Sequence, residues 1–213
     1  MRVMAGRFIT LEGGEGAGKT TLIGALKTWL QDRGTDVVVT REPGGTPGAE
    51  LLRDILLKGE TDRWSATTEA LLMYAARVDH VERLIQPALA RGAWVISDRF
   101  ADSTTAYQGT AGGMPVWRIR QLHKAALGDF DPDLTLVLDL DPAVGMQRAL
   151  DRGEDATRFE RHGLDYHRRL RQAFLDIASA EPRRCAVIDA SEPPDAVAAA
   201  AIAAIEARIG MPA

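Results

Sequence analysis

The sequence predicts an α/β fold, a five-stranded parallel sheet with helices on both faces and a short lid. Three observations predict it. Short apolar runs alternate with stretches of helical spacing from one end of the chain to the other. The strand-like runs are near-continuously apolar, as in strands covered on both faces. The connecting stretches that lack periodicity are rich in Gly, Pro or charge and follow the runs, where the loops of a parallel sheet belong.

Arg7–Glu12 (RFITLE) is the first strand and ends in glycines. From Lys19 to Arg33, Leu22, Leu26 and Leu30 form one stripe, and Gly34 stops the helix. Asp36–Thr40 (DVVVT) is a second strand, its valines suiting burial on both faces. Glu42–Gly48 is a loop by its Gly and Pro content, followed by a helix from about Ala49 to Leu57 and a polar connection. A long helix covers Thr67–Ala90, with Pro87 kinking its last turn. Trp94–Asp98 is the third strand, followed by a polar stretch with helical character around Thr104–Tyr107. Val116–Leu127 is helical and Leu134–Leu140 is the fourth strand. Pro142 opens a helix to about Asp151. Arg152–Arg158 is charged and aperiodic, Glu160–Ala180 is helical, Cys185–Asp189 is the fifth strand, and Pro193–Ala207 is a terminal helix.

The 213 residues suit one domain, with a lid at about 148–161. Lys and Arg total 26 against 30 Asp and Glu, a net charge of −4, the wrong balance for a non-specific nucleic-acid binder. Phosphates would have to be met by a few placed cations and backbone N–H groups. The lone cysteine, Cys185, excludes an intrachain disulfide framework. The longest apolar run, Ala196–Ile205, is ten residues, short of the roughly 18 of a membrane span. MRVMAGRFIT lacks the apolar core of a signal peptide. The expectation is a cytoplasmic protein without a membrane or nucleic-acid partner.

Gly13-Gly-Glu-Gly-Ala-Gly18-Lys19-Thr20 has the spacing G-x-x-x-x-G-K-[ST], between a strand and a helix. Gly13, Gly16 and Gly18 let the backbone turn its N–H groups inward as an anion nest, and the helix adds its positive end. Lys19 would reach the terminal phosphates, and the Thr20 hydroxyl would ligate Mg²⁺. Gly14, Glu15, Ala17 and Thr21 complete the nucleotide-binding set. Asp98, ending the third strand, suits a Mg²⁺-linked or catalytic role, and Arg99 follows it.

Thr40-Arg-Glu-Pro-Gly-Gly-Thr46 (TREPGGT), Asp98–Gly109 (DRFADSTTAYQG) and the arginine-rich Arg148–Arg161, taken with the phosphate loop, resemble the bacterial thymidylate kinase family in the same order and over essentially the whole chain. The resemblance implies γ-phosphoryl transfer from ATP to dTMP with Mg²⁺, and a homodimer built through the long Thr67–Ala90 helix and its neighbours. It casts Glu42 and Pro43 as part of the monophosphate-side loop and Arg53 and Arg99 as clamps on the monophosphate, for which planar guanidinium groups are suited. Arg77 would bond the thymine edge. Met73 stands where many members carry a stacking Phe. Either its sulfur contacts the base, or Tyr74 or Phe100 takes part. Thr104 and Gln108 would contact the base edge or sugar side, Ser103 would order the loop, and Tyr107 would lie against the deoxyribose and reject a 2′-OH. Some members carry an arginine in the loop slot that Ala17 fills here. Arg148, Arg152 and Arg158 then resemble lid arginines that supply that charge on closure, Arg152 and Arg158 being favoured, with Glu15 holding the lid or the monophosphate-side arginines. Ala190–Pro193 would sit beside the adenine.

Two other readings stay open from the residues: a kinase of this fold with another acceptor, and a nucleotide switch with none. His162 and His167 are five apart and not on one helical face, so they make no metal pair. His80 and His123 read as surface or helix-face residues, and Cys185 as an inert core thiol.

Overall fold

A computed structural model of the chain describes residues 6–151, 157–159 and 161–210. Five parallel strands form one sheet: β1 (Phe8–Gly13), β2 (Val37–Arg41), β3 (Trp94–Asp98), β4 (Leu134–Asp139) and β5 (Cys185–Asp189), in the order β2-β3-β1-β4-β5. Each lies within a residue or so of its sequence expectation. The register sets Leu11 beside Asp98 and Arg41 beside Asp98. The three loops leaving β1, β2 and β3 therefore emerge at the carboxyl end of the sheet, which brings three sequence motifs together.

The central strand shows why the sheet has two cores. Ile9 and Leu11 face one side, under α1 (Lys19–Gln31) and the C-terminal helix, with Leu22, Leu26, Leu30, Val197, Ala201 and Ile205. Phe8 faces the other, with Val81, Ile85, Val95 and Phe100. Strand alternation sends successive side chains to opposite faces, so an unbroken apolar run serves both.

β2 departs from expectation. The valine run predicts burial on both faces, but β2 is an edge strand and Val39 is 42% exposed. Position in the sheet, not composition, decides that burial. α2 (Pro47–Leu57) starts two residues earlier than expected, capped by the Thr46 hydroxyl, which accepts from the Ala49 N–H. The predicted long helix is α3 (Ala66–His80), a π-helical turn over Val81–Ile85 and α4 (Gln86–Ala90). Pro87 has no N–H to give the preceding turn, and that turn widens instead of kinking sharply. After β3 come a short α5 (Ala101–Thr104), a second π-helical stretch over Thr105–Ala111 and α6 (Val116–Leu127). α7 (Pro142–Asp151) precedes 152–156, and α8 (Leu164–Ala180) begins at Gly163, later than its spacing suggests. α9 (Pro194–Ile209) closes the chain. α7 packs its Gly145 backbone directly on Glu15 and Gly16 of the loop after β1, where a Cβ on either glycine would collide with the other segment's carbonyl. Among the described residues no helix is long and apolar enough to cross a membrane.

Candidate active site

The loop from Gly13 to Gly18 turns as its composition requires. Gly13, Gly16 and Gly18 have φ of 133°, 67° and 88°, a region that side chains disfavour. Gly18 caps α1, so the first free N–H groups of that helix point where an anion would sit. Lys19 folds back over the loop and donates from Nζ to the Gly14 carbonyl at 3.0 Å. Burial, and then the Arg99 charge, lower its pKa to about 8.

The loop forms one wall of a cleft of about 520 Å³, within the range of small-molecule sites. Of the expected residues, Glu15, Gly16, Ala17, Gly18, Lys19, Thr20, Thr21, Glu42, Pro43, Arg53, Met73, Arg77, Asp98, Arg99, Ser103, Thr104, Tyr107 and Gln108 all line it. Gly13 and Gly14 lie behind, their carbonyls taken by Arg99 and Lys19. Residues not singled out from the sequence also face it, including Arg41, Leu57, Thr157 and Phe159.

Opposite the loop, Arg77 is 2% exposed and held on three sides. Its Nε donates to Glu42 at 2.7 Å, and Nη2 donates to the Phe100 carbonyl at 3.1 Å and the Thr104 hydroxyl at 3.0 Å. Burial opposes its charge, but Glu42 and Tyr74 outweigh that and hold its pKa above the usual value. Nη1 is buried and has no partner among the described residues. A fixed guanidinium with one spare donor in a cleft is a recognition group for an acceptor on a ligand. Glu42 is fixed in turn by His80, whose Nδ1 lies 3.0 Å from its second oxygen and whose Nε2 meets Thr40 Oγ1 at 2.7 Å. His80 is fully buried. The surface role expected for it is corrected: the buried Glu42 carboxylate draws a polar partner from α3.

Arg53 donates to the Pro43 carbonyl at 2.7 Å, tying α2 to the loop after β2. Arg99 takes φ of 73°, which no other described non-glycine residue does, and its guanidinium lies 5.1 Å from the Tyr107 ring centre. Tyr107 also packs edge-on against Phe159 and Phe174, so it is at once a cleft wall and part of a core. Gln108 is buried, its amide nitrogen donating to Glu69 at 2.8 Å. Tyr74 is removed from the base-stacking alternatives: it is buried toward α6, with its hydroxyl 3.2 Å from His123. Met73 and Phe100 remain at the cleft.

The lid arginines divide. Arg152 lies outside the described residues, as do the rest of 152–156 and Glu160 of the expected lid. Arg148 reaches the Ala190 carbonyl at 3.4 Å, which joins it to the segment expected beside the adenine. Arg158 is not brought to the phosphate loop. It is fully buried, donating to the Leu56 carbonyl at 2.5 Å, the Thr61 carbonyl at 3.2 Å and Glu69 at 2.5 Å. The reason is Glu69, a buried carboxylate on α3 that takes the nearest cation. Its isolated position in sequence gives no sign of this.

No cluster of three or more metal-ligating side chains occurs among the described residues. Mg²⁺ that binds with a nucleotide is held largely by phosphates, with one or two protein oxygens. Thr20 and Asp98 fit such a role: both face the cleft, and Asp98 Oδ1 is buried without a partner among the described residues. Cys185 is buried, and that burial pushes its thiol up to about 12, as an inert core cysteine requires.

Known proteins place this arrangement. The chain is 56% identical to a thymidylate kinase of Caulobacter vibrioides over 206 residues, which is 97% of this chain and 99% of that one. It is 52% identical to a thymidylate kinase of Magnetococcus marinus, over 96% and 98% of the two chains. The crystal structure of thymidylate kinase from Ehrlichia chaffeensis superposes with a TM-score of 0.76 at 33% identity, covering 94% of this chain and 99% of that one. The family profile described as thymidylate kinase matches residues 11–201, and the chain belongs to the thymidylate kinase family.

Proposed function

We propose that the protein transfers the γ-phosphoryl group of ATP to dTMP in the cytoplasm, giving dTDP and ADP. The observation that carries this is the single cleft shared by two unlike halves: an anion-binding loop with Lys19, and a wall holding Arg53, Arg77, Arg99 and Tyr107. A nucleotide switch needs only the first. Transfer between two anions needs both, because the partners must be held in line while cations offset their repulsion. Backbone N–H groups of the loop and Lys19 bind the donor phosphates. Arg53 and Arg99 bind the acceptor phosphate. Arg77 offers Nη1 to the base, and Tyr107 covers the sugar. Mg²⁺, when bound through Thr20 and Asp98, supplies charge neutralisation between the phosphates. The lid reading rests on Arg152, with Arg158 able to act only after leaving Glu69.

A coupled ADP-release assay with dTMP, AMP, GMP and CMP tests the acceptor. dTMP should give the highest kcat/KM, and Arg77→Ala should reduce that preference about 10-fold or more, the size of a charge-assisted hydrogen bond. A higher value for AMP, GMP or CMP overturns the assignment.

We also propose a homodimer formed through the α2–α3 face. Leu51 and Ile55 on α2 and Leu71 on α3 are 69%, 41% and 54% exposed, an apolar surface that a monomer seldom leaves bare. Sedimentation equilibrium should return twice the 23.1 kDa chain mass, and a Leu71→Glu variant should shift it to the single mass. A wild-type monomer at micromolar concentration rejects the proposal.

A further inference from the structure

Glu12 is the penultimate residue of β1, just before the phosphate loop, and is fully buried. Nothing in the strand pattern marks it except its charge. Its Oε1 accepts from the Phe100 N–H at 2.8 Å and the Ser103 N–H at 3.3 Å, so it caps α5 from another strand. Its Oε2 accepts the Ser103 hydroxyl proton at 2.6 Å. Ser103 Oγ, its single proton so directed, accepts from Arg99 Nη1 at 3.2 Å, and the same Nη1 donates to the Gly13 carbonyl at 3.0 Å. The direct Glu12–Arg99 separation is 4.0 Å. The link thus runs through the serine: guanidinium to hydroxyl to carboxylate, each donor meeting an acceptor.

Arg99 needs this support. Its backbone sits at positive φ, a strained conformation that persists only where the surroundings impose it. The flanking bonds supply that: Arg99 N–H to the Leu11 carbonyl at 2.9 Å, Ser97 Oγ to the Arg99 carbonyl at 2.8 Å, and Glu12 on the next residue's N–H.

We infer that Glu12 is a positioning residue for phosphoryl transfer, which fixes the Arg99 guanidinium at the acceptor side of the cleft through Ser103. The inference rests on the reading of Arg99 as a clamp on the acceptor phosphate. In Glu12→Gln the amide oxygen serves the two backbone N–H groups and the amide nitrogen faces Ser103. The serine then meets two donors and has lost the acceptor for its own proton, so its bond to Arg99 weakens.

The test is a double-mutant cycle of Glu12→Gln and Arg99→Ala, with kcat and KM measured for dTMP and ATP separately. Glu12→Gln should lower kcat/KM for dTMP by about 10–100-fold, with KM for ATP changed less than about twofold. In the Arg99→Ala background it should add less than about threefold, because the group it positions is gone. Ser103→Ala keeps the carboxylate and its backbone bonds and cuts only the link to Arg99. It should give the same dTMP-selective loss, and it serves if Glu12→Gln fails to fold. Losses that multiply in the double variant, or an equal loss toward ATP, overturn the positioning role while leaving Arg99 a clamp. An Arg99→Ala enzyme with unchanged kcat/KM for dTMP overturns the clamp and the inference with it.

Discussion

Replacing Lys19 with alanine is expected to lower kcat by about 10²–10³-fold, the usual cost of removing one group that meets charge developing in the transition state. The fold should survive. Among the described residues Nζ donates to the carbonyls of Gly14 and, at 3.5 Å, Gly13. Burial makes its charge unfavourable there, which is what a pKa lowered to about 8 means. In an unfolded chain a lysine titrates near about 10.4. Between these values the unfolded chain holds a proton that the folded one has lost, so the unfolding free energy rises with pH across that window. Urea unfolding at pH 7.5 and 10 should show this rise in the native enzyme and less of it in Lys19→Ala. Bound triphosphate should restore the proton, so calorimetry at pH 8 should find proton uptake on ATP binding. Turnover within threefold of native in the variant would remove Lys19 from the mechanism.

The largest stability loss is expected at Glu42. This carboxylate receives both Arg77 and His80, and all three are nearly or fully buried. Glu42→Ala strands a buried guanidinium, which costs about 3–5 kcal/mol. In a chain of this size that is a fall in Tm of roughly 6–20 °C. Glu42→Gln keeps the shape and one acceptor for Arg77, so it should lose less than half as much. Thermal and urea unfolding should agree. A loss below about 1 kcal/mol for the alanine variant would mean that Arg77 finds another anion.

The sheet was legible because its strands are short apolar runs and its first loop is a motif with one geometry. The cleft was legible because the motifs end strands, and a parallel sheet gathers those ends. What stayed hidden depends on distance along the chain. Glu12 meets Ser103, Glu42 meets His80, and Glu69 meets Arg158 across 91, 38 and 89 residues. Periodicity reports which face a side chain takes, not which buried charge answers it. Arg158 illustrates the cost: an arginine in a charged, aperiodic stretch reads as free to act, while in the fold it neutralises α3. The same limit explains β2, whose valines could not reveal that the strand lies at an edge.

The bare contact between Gly16 and Gly145 joins the front of the enzyme to its rear. No side chain stands between the two backbones to absorb a displacement, and close-packed atoms transmit one. The helix that carries Arg148 and leads to 152–156 is therefore seated on the very loop proposed to hold the donor phosphates. A displacement of the loop would press on that helix directly.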